Sequence, residues 1–209
     1  MPQNDQDPKS VLREQIRARR RARTESQRAD VDAALAERML EIPGVTALLQ
    51  DPARGCVAAY ASYGTEPRTS ALRAAFTRAG VGVLLPVIRD DGGLDWAWDR
   101  DDLGDGAVSP GVPEPTGLVA GHGLEGLVQL GCRVVLAPAL AVDLQGSRIG
   151  KAGGYYDRLL SGLDELAPDQ RPHVVAVVHD DEVLDHIPTQ PHDRRVDAIL
   201  TPTRYLPLR

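Results

Sequence analysis

The stretch CRVVLAPALAVDLQGSRIGKAGGYYDRLLSGLDEL, residues 132–166, decides the fold. It begins with an apolar run that predicts a strand over residues 132–138, and it ends with GYYDRLLSGLDEL, residues 154–166, which predicts a helix. Another apolar run, HVVAVVHD, follows at residues 173–180. A strand, a helix and a second strand in this order are typical of a parallel βαβ unit.

The same alternation extends toward both ends of the chain. Apolar runs at residues 56–62, 81–88 and 196–202 predict further strands, and TSALRAAFTRAG at residues 69–80 predicts a helix. These runs are continuously apolar, which is typical of a sheet that is buried on both faces. We therefore predict an α/β fold, a three-layer α/β/α domain with a mostly parallel sheet over residues 9–209.

Two segments between these elements predict exposed structure. DDGGLDWAWD, residues 90–99, predicts a turn and a hairpin arm, and the Pro- and Gly-rich SPGVPEPTG, residues 109–117, predicts a surface loop. Ligands of parallel α/β sheets gather at the carboxyl ends of the strands, so the segments after residues 62, 138 and 180 are the places to search for a site.

The N-terminal region has a different pattern. Residues 1–8 are predicted to be a disordered leader. Ser10 is the predicted N-cap of a helix over residues 11–23. Thr24 and Gln27 have capping-box spacing and predict the start of a second helix, which residues 43–44, Pro and Gly, should end.

The charge is distributed unevenly. The formal net charge of −6 argues against general affinity for nucleic acid. Between Lys9 and Arg28, however, eight basic residues face only two acidic ones. Most of the arginines in this region are predicted to lie on a solvated helix face. These predicted surface residues are Arg17, Arg19, Arg20, Arg21 and Arg23.

The sequence predicts a reduced and soluble protein. Cys56 and Cys132 form no disulfide framework or metal motif, and both are surrounded by apolar residues, so they are predicted to be buried thiols. No apolar run approaches the roughly 18 residues that a membrane helix needs, and the N-terminus has no signal-peptide pattern. We expect a cytoplasmic monomer without a membrane partner.

The glycine-rich segment RIGKAGGYYD, residues 148–157, predicts an anion site. Its glycines let the backbone approach a ligand closely, and Arg148 and Lys151 supply positive charge. It fits neither the P-loop pattern nor the G-x-G-x-x-G dinucleotide pattern. The alternative is a flexible surface loop with a helix cap, but two tyrosines and Asp157 directly after it favour a site.

This segment also resembles a known signature. ALAVDLQGSRIGKAGGYYDRLL, residues 139–160, is similar to the signature of the 5-formyltetrahydrofolate cyclo-ligase family. Four other segments resemble the family in the same order. They are KSVLREQIR with Lys9 and Arg13, YGTEPRTSAL with Glu66, GVPEP at residues 111–115 and PHDRRVDAILTP at residues 191–202.

The resemblance implies a Rossmann-like, CoA-transferase-like scaffold and a reaction. The family converts 5-formyltetrahydrofolate to 5,10-methenyltetrahydrofolate, with ATP as co-substrate and Mg²⁺ as cofactor. Phosphorylation of the formyl oxygen makes it a leaving group, and the second folate nitrogen then closes the ring. The expected partners are therefore a reduced folate and ATP, and the demands on the protein are positioning and charge neutralisation.

The resemblance also implies site residues. Three are expected to be catalytic: Arg148, Lys151 and Tyr155. The expected ATP-binding residues are Lys9, Arg13, Arg148, Gly150, Lys151, Gly153, Gly154, Tyr155 and Tyr156. The expected folate-binding residues are Glu66, Lys151, Ala152, Gly153, Gly154 and Tyr155. Two acids are expected to hold Mg²⁺, Asp157 and Asp193.

Each acid also has an ordinary structural explanation. Asp157 could interact with a helix dipole, Asp193 could be a turn residue, and Glu66 could simply precede a helix. The family pattern also has departures: Ala139, Val142 and Ala152 replace commoner residues, and residues 109–110 replace an aromatic. If the loop needs a positive φ at an alanine, its shape must differ, because alanine resists that conformation.

Two other functions remain open. One is a catalytically weak relative that binds folate or nucleotide and regulates. The other is a different phosphate-handling enzyme on the same scaffold, such as a sugar-phosphate isomerase or an acyl-CoA transferase, because fold does not fix function. Neither alternative needs the metal, phosphate and folate residues together.

Overall fold

The computed structural model of the chain describes residues 7–190 and 193–208. Its helices are α1 (Pro8–Ala22), α2 (Glu25–Arg38), α3 (Pro43–Gln50), α4 (Ser70–Arg78), α5 (Gly123–Gln129) and α6 (Tyr155–Leu160). Its first strands are β1 (Cys56–Ala58), β2 (Gly82–Ile88), β3 (Leu94–Trp98), β4 (Leu103–Asp105), β5 (Pro113–Pro115), β6 (Val119–His122) and β7 (Cys132–Pro138). The remaining strands are β8 (Ala141–Asp143), β9 (Arg148–Ile149), β10 (His173–Val177), β11 (Val183–Leu184), β12 (Ala198–Leu200) and β13 (Tyr205–Pro207).

One large sheet organises the described part of the chain. Its strand order is β13-β12-β10-β7-β1-β2-β3-β6. Strands β12, β10, β7, β1 and β2 are parallel to one another. The outer strands β13, β3 and β6 are antiparallel to their neighbours. The prediction of a mostly parallel sheet is confirmed. The hairpin arm predicted within residues 90–99 is β3, which pairs with β2, but the prediction that this arm is exposed is wrong, because Trp96 and Ala97 are fully buried.

Both faces of the sheet are buried, as the continuously apolar runs predict. Val57 and Val134 belong to a core cluster that also contains residues of α2, α3 and α4. Their chain neighbours Ala58 and Val135 point to the opposite face and join a cluster with residues of α5 and α6. Helices therefore cover the sheet on both sides, which confirms the three-layer arrangement.

Helix α1 packs elsewhere. Ile16 is fully buried against Leu140, Ala141 and Ile149. These three residues lie in or beside a small sheet in which β8 pairs with β9 and with β11. The basic helix is thereby held beside the loops that follow β7, at the carboxyl edge of the large sheet.

The first helix begins earlier than predicted. Its N-cap is Asp7, whose carboxylate accepts a hydrogen bond from the Lys9 backbone N–H, and Pro8 is its first residue. Proline suits this position because it has no N–H to satisfy and its φ is already helical. Ser10 lies inside the helix and donates to Asp7 instead of capping. Of the predicted leader, residues 1–6 lie outside the described residues.

Two other helix predictions are also wrong in part. Pro43 does not simply end the second helix; it begins α3, again as the first residue. The helix predicted over residues 154–166 stops at Leu160. The chain continues as a turn and a short 3-10 helix at Leu163–Glu165, because Gly162 has a low helix propensity.

Short strands were missed in segments predicted as loops. The Pro-rich segment at residues 109–117 contains β5, which pairs with β4. The approach to the glycine loop contains β8 and β9. Strands of two or three residues carry too little periodicity to be distinguished from turns.

The prediction of a solvated arginine face is wrong for Arg20, and Arg23 is also largely buried, with 16% side-chain exposure. Arg20 has 1% side-chain exposure and forms an ion pair with Glu182, which has 0% exposure. Arg19 and Arg21 on either side are exposed, as predicted. Both cysteines are free and buried, also as predicted. Among the described residues, none of the helices has the length and apolar character to span a bilayer.

Candidate functional site

The site lies where the strand order reverses. From β1 the chain crosses through α4 to β2 on one side, whereas from β7 it crosses through α6 to β10 on the other. The loops that leave β1 and β7 therefore diverge and open a crevice at the carboxyl edge. The first loop carries Glu66, and the second carries the glycine loop, residues 150–154.

The glycine loop is tightly built at its end. Gly154 is the N-cap of α6 with a φ of 66°, and a Cβ there would lie 2.8 Å from Arg158 Nη1. A Cβ on Gly153 would lie 2.4 Å from the Tyr155 ring. Ala152 has a φ of 88°, so the left-handed backbone foreseen as a difficulty for alanine is present. Since α6 has only six residues, the anion-binding character depends on the cations around the loop.

A cavity of about 420 Å³ lies on one side of the glycine loop. We call it the apolar cavity, because aromatic, aliphatic and proline side chains form most of its wall. The lining includes Tyr60, Tyr63, Pro86, Ile88, Leu94, Ser109, Pro110, Val112, Pro113, Pro138, Ala139, Tyr155 and Tyr156, with Glu66 and Lys151 as polar members. Residues 109–110 and Ala139, which differ from the family pattern, therefore belong to this wall.

A second cavity of about 520 Å³ lies on the other side. We call it the charged cavity. Its lining includes Asp7, Lys9, Arg13, Ala152, Arg158, Ser161, Gln190, Asp193 and Arg194. Of the residues that the structure describes, four line both cavities: Arg148, Gly150, Gly154 and Asp157. The glycine loop and the ion pair beside it are therefore a shared partition.

Lys151 and Glu66 join the two loops across the apolar cavity. The Lys151 Nζ lies 2.8 Å from Glu66 Oε1 and 3.5 Å from the centroid of the Tyr63 ring. Glu66 is buried, and its other carboxylate oxygen accepts a hydrogen bond from the Tyr63 backbone N–H at 3.0 Å. The carboxylate is thus held in place by the loop after β1, while the flexible lysine is its removable partner.

Helix α1 contributes the cations of the charged cavity. Lys9 Nζ lies 2.6 Å from Asp193 Oδ2, and both side chains are largely buried. Arg13 donates through Nε to the Gly150 carbonyl at 3.1 Å. The two cations are one helical turn apart and face the glycine loop together.

The partition contains an ion pair between Arg148 and Asp157. Arg148 Nη2 donates to Asp157 Oδ1 at 2.9 Å, and the same oxygen accepts the Arg194 backbone N–H at 3.1 Å. Arg148 has 4% side-chain exposure, and its Nε has no hydrogen-bond partner among the described residues. The residue itself lines both cavities.

Two tyrosines of the apolar cavity are kept neutral by burial. Burial raises the pKa of the Tyr60 phenol well above its usual value, with the Glu66 charge adding to the effect. The Tyr60 hydroxyl donates to the Pro67 carbonyl at 2.9 Å, so this residue is both core and cavity wall. Burial likewise raises the pKa of Tyr156, whose hydroxyl is buried without a partner among the described residues. Both phenols can only act as neutral donors or acceptors.

The acid pair is compatible with Mg²⁺. Among the described residues, no group of three or more His, Cys, Asp or Glu side chains could enclose a metal. Asp157 and Asp193 line the same charged cavity beside Lys9 and Arg13. Because Mg²⁺ usually takes one or two carboxylates together with phosphate oxygens and water, these two acids, in a cavity where cations outnumber acids, suit a metal that arrives with a phosphate ligand.

The structure brings all the predicted site residues to the two cavities, with a division that the sequence did not predict. Lys9, Arg13, Ala152 and Asp193 line the charged cavity only. The members that line the apolar cavity only are Glu66, Lys151, Gly153, Tyr155 and Tyr156. Arg158 and Arg194 were missed; each directly follows a predicted metal ligand, and that adjacency was the available signal.

The chain matches known proteins over nearly its whole length. The sequence profile of the 5-formyltetrahydrofolate cyclo-ligase family matches residues 5–202. A 5-formyltetrahydrofolate cyclo-ligase of Mycolicibacterium smegmatis is 39% identical over 152 residues, which are 71% of this chain and 74% of that protein. A protein of the same name from Escherichia coli K12 is 27% identical over 193 residues, 90% of this chain and 97% of that one.

Two solved structures share the fold. The NMR structure of Aquifex aeolicus 5,10-methenyltetrahydrofolate synthetase superimposes with a TM-score of 0.73 at 24% identity and covers 96% of this chain and 93% of that one. A 5,10-methenyltetrahydrofolate synthetase from Mycoplasma pneumoniae gives a TM-score of 0.64 at 17% identity and covers 93% and 98% of the two chains. At these identities, the structural likeness confirms the fold class.

Proposed function

The chain belongs to the 5-formyltetrahydrofolate cyclo-ligase family, and on this basis we propose that it converts 5-formyltetrahydrofolate to 5,10-methenyltetrahydrofolate, using ATP and Mg²⁺ and releasing ADP and phosphate. The observation that carries the proposal is the pair of cavities on either side of one glycine loop. One suits a flat, partly apolar ligand, and the other suits a phosphate chain.

The reaction needs this division. The formyl carbon is a poor electrophile, because the amide nitrogen donates its lone pair into the carbonyl. Transfer of the terminal phosphoryl group of ATP to the formyl oxygen turns that oxygen into a leaving group. The second folate nitrogen then bonds to the formyl carbon and loses its proton, the C–O bond breaks, and phosphate leaves with the oxygen. The enzyme must therefore align two ligands across a narrow partition and exclude water.

The charged cavity would hold the phosphates of ATP. Lys9 and Arg13 neutralise phosphate charge from α1, and Arg148 does so from the partition. Mg²⁺ held by Asp157 and Asp193 would neutralise charge on the transferring phosphoryl group. Lys9 pairs with Asp193 and Arg148 pairs with Asp157, so each acid is already fixed in position by a cation.

The apolar cavity would hold the pterin of the folate. The buried Glu66 carboxylate is a suitable acceptor for the amino and ring N–H donors of a pterin. Tyr63 and Tyr155 offer ring faces for stacking. Lys151 lies between Glu66 and the glycine loop, and its flexible ammonium can leave Glu66 to follow the negative charge of the phosphoryl group.

The direct test is an assay of the purified chain. We expect 5-formyltetrahydrofolate, ATP and Mg²⁺ together to give the absorbance of the methenyl product with one ADP released per turnover. Binding of both ligands without product would support the regulatory alternative, and ATP or folate that fails to bind would contradict the proposal. Omission of Mg²⁺ should abolish turnover.

Lysine labelling tests the assignment of the two cavities. The chain has only two lysines, Lys9 and Lys151, and each lines a different cavity. An amine-reactive reagent followed by mass spectrometry should show that ADP with Mg²⁺ protects Lys9 and that the folate protects Lys151. Labelling of the N-terminal amine is the internal control. Protection of neither lysine by its ligand would contradict this assignment even if the assay gives product.

A further inference from the structure

A buried arginine lies at the far end of the helix that carries Lys9 and Arg13. Arg20 has 1% side-chain exposure, whereas its neighbours Arg19 and Arg21 have 44% and 58%. Full burial of an arginine is uncommon, and it requires a partner that compensates the lost hydration. Arg20 therefore has a role different from that of the arginines around it.

The partners of Arg20 come from two separate strand ends. Its Nε and Nη2 each lie 2.7 Å from one carboxylate oxygen of Glu182, which gives a bidentate ion pair. Nη2 also donates to the Ala139 carbonyl at 2.7 Å. Glu182 Oε2 accepts the His179 backbone N–H at 2.9 Å. One side chain of α1 is thus joined to the segment after β7 and to the segment after β10.

Arg20 shares one face of α1 with the cations of the charged cavity. Lys9, Arg13, Ile16 and Arg20 are spaced by four, three and four residues, which is the spacing of a single helical face. At one end of this face, two cations line the cavity; at the other, the ion pair fixes the helix to the sheet. Ile16 lies between them, and its apolar contacts are not directional, so they do not fix the orientation of α1.

A buried ion pair of this kind contributes little to stability compared with an apolar pair of the same volume, because the desolvation of both charges offsets their attraction. Its distinctive contribution is orientation, since a bidentate guanidinium–carboxylate pair is directional. Arg20 also reaches a backbone carbonyl next to the apolar cavity, which an apolar side chain could not do.

We infer that Arg20, with Glu182, is a positioning residue for ATP: it sets the rotation and depth of α1, and thereby places Lys9 and Arg13 at the phosphates. This inference rests on the proposed function for its substrate. In this inference Arg20 contacts neither ligand. Because Lys9 and Arg13, which it positions, line only the charged cavity, loss of Arg20 should affect ATP much more than folate.

The test uses a neutral pair that keeps the fold. In Arg20→Met with Glu182→Gln, no buried charge is left unpaired, and the glutamine oxygen still accepts the His179 N–H. The matched control is Arg21→Met, whose ion pair with Glu14 is exposed to solvent. We expect the neutral pair to fold, with a Tm somewhat below that of the wild type because the Ala139 carbonyl loses its donor. Its KM for ATP should rise roughly ten- to hundredfold, about the effect of losing one hydrogen bond to a charged group. The KM for folate should change much less, although the Ala139 carbonyl in the wall of the apolar cavity loses a partner.

A second set of variants distinguishes a positioning role of Arg20 from a general loss of structure. In a chain that already carries Lys9→Met and Arg13→Met, the neutral pair should have no further effect on the affinity for an ATP analogue, because the residues it positions are gone. If the neutral pair does not fold, Arg20→Lys takes its place in the same measurements. This variant keeps a charge opposite Glu182 but loses the bidentate geometry.

The inference is overturned if the KM for ATP is unchanged in a folded variant, or if the KM values for ATP and for folate rise by the same factor. It is also overturned if the neutral pair weakens binding of the ATP analogue as much in the chain with Lys9→Met and Arg13→Met as in the wild type. A wild-type chain that makes no methenyl product would contradict the proposed function instead. In that case the analogue-binding measurements still decide the role of Arg20.

Discussion

Both lysines of the chain lie at the candidate site, whereas its other basic residues are arginines. The chain has 24 basic residues, of which only Lys9 and Lys151 are lysines. Each is held against a carboxylate beside the glycine loop, Lys9 by Asp193 and Lys151 by Glu66. An ammonium on a flexible stem can exchange one oxygen partner for another more readily than a planar guanidinium fork can. The two lysines are therefore suited to transferring their contact from a carboxylate to an incoming ligand.

Ala152 has a backbone conformation that a residue with a side chain rarely adopts. Its φ of 88° is unfavourable for any residue with a Cβ. Ala152→Gly should stabilise the fold by roughly 0.5–1 kcal/mol, because the relieved strain exceeds the entropy that glycine adds to the unfolded chain. This corresponds to a rise in Tm of about 1–4 °C for a chain of this size, measured by thermal unfolding.

Two neighbouring glycines provide matched controls for this prediction. Gly150→Ala should be tolerated, because its φ is not positive and the added Cβ would meet no atom within 4 Å beyond its chain neighbours. Gly154→Ala should destabilise the fold by about 1–2 kcal/mol, since its φ is 66° and the Cβ would meet Arg158. A lower Tm for Ala152→Gly would show that the loop does not keep this backbone conformation in solution.

Single residues were predictable where a local pattern carries the information. The three glycines, the two cations and the single acid of residues 148–157 stand together in the sequence, and all of them reach the cavities. Arg20 has no such local signal, because its partner Glu182 is 162 residues away. Its burial depends on how α1 packs against the ends of β7 and β10, which the composition of the helix does not specify.

At the scale of elements, long apolar runs were predictable and short elements were not. The parallel strands and α4 correspond to continuous or periodic patterns. The small sheet of β8, β9 and β11 has strands of two or three residues, whose backbone pairing is stabilised by α1 and the loops around it. Such strands depend on tertiary contacts more than on local propensity.

The start of α1 gives an element-level prediction. Asp7→Ala should destabilise the fold by about 1 kcal/mol, because it leaves the Lys9 backbone N–H without its cap. Ser10→Ala should have a much smaller effect, since its hydroxyl only donates to the Asp7 side chain. Urea unfolding of the two variants at equal protein concentration checks the order. A larger loss of stability for Ser10→Ala than for Asp7→Ala would show instead that Ser10 is the N-cap, as the sequence pattern predicts.

At the scale of the whole molecule, topology places the site more firmly than any motif. Lys9, Glu66, Lys151 and Asp193 come from distant parts of the chain. The reversal of strand order at β1 and β7 brings the loops of Glu66 and Lys151 together, and the packing of α1 on the small sheet brings Lys9 to the same edge. A parallel sheet predicted from sequence already implies a crevice at the carboxyl edge. The division into two cavities was not predictable, because it depends on the path of residues 150–154 between them.

This division predicts positive coupling between the two ligands. Folate binding at Glu66 must displace Lys151 from that carboxylate, and phosphate binding that draws on Lys151 must break the same ion pair. Whichever ligand binds first bears the cost of separating the pair, so the second binds more tightly. We expect 5-formyltetrahydrofolate to tighten the binding of a non-hydrolysable ATP analogue by roughly five- to hundredfold. Isothermal titration calorimetry measures this directly.

Reciprocity makes the coupling prediction strict, because the ATP analogue must tighten folate binding by the same factor. Lys151→Met removes the shared ion pair, so both ligands should still bind, each with an affinity independent of the other. If that variant kept the wild-type coupling, the communication would have to pass through the rest of the shared partition, which contains the ion pair of Arg148 and Asp157. A wild-type chain that binds the two ligands independently would instead show that the Lys151–Glu66 pair persists when both cavities are filled.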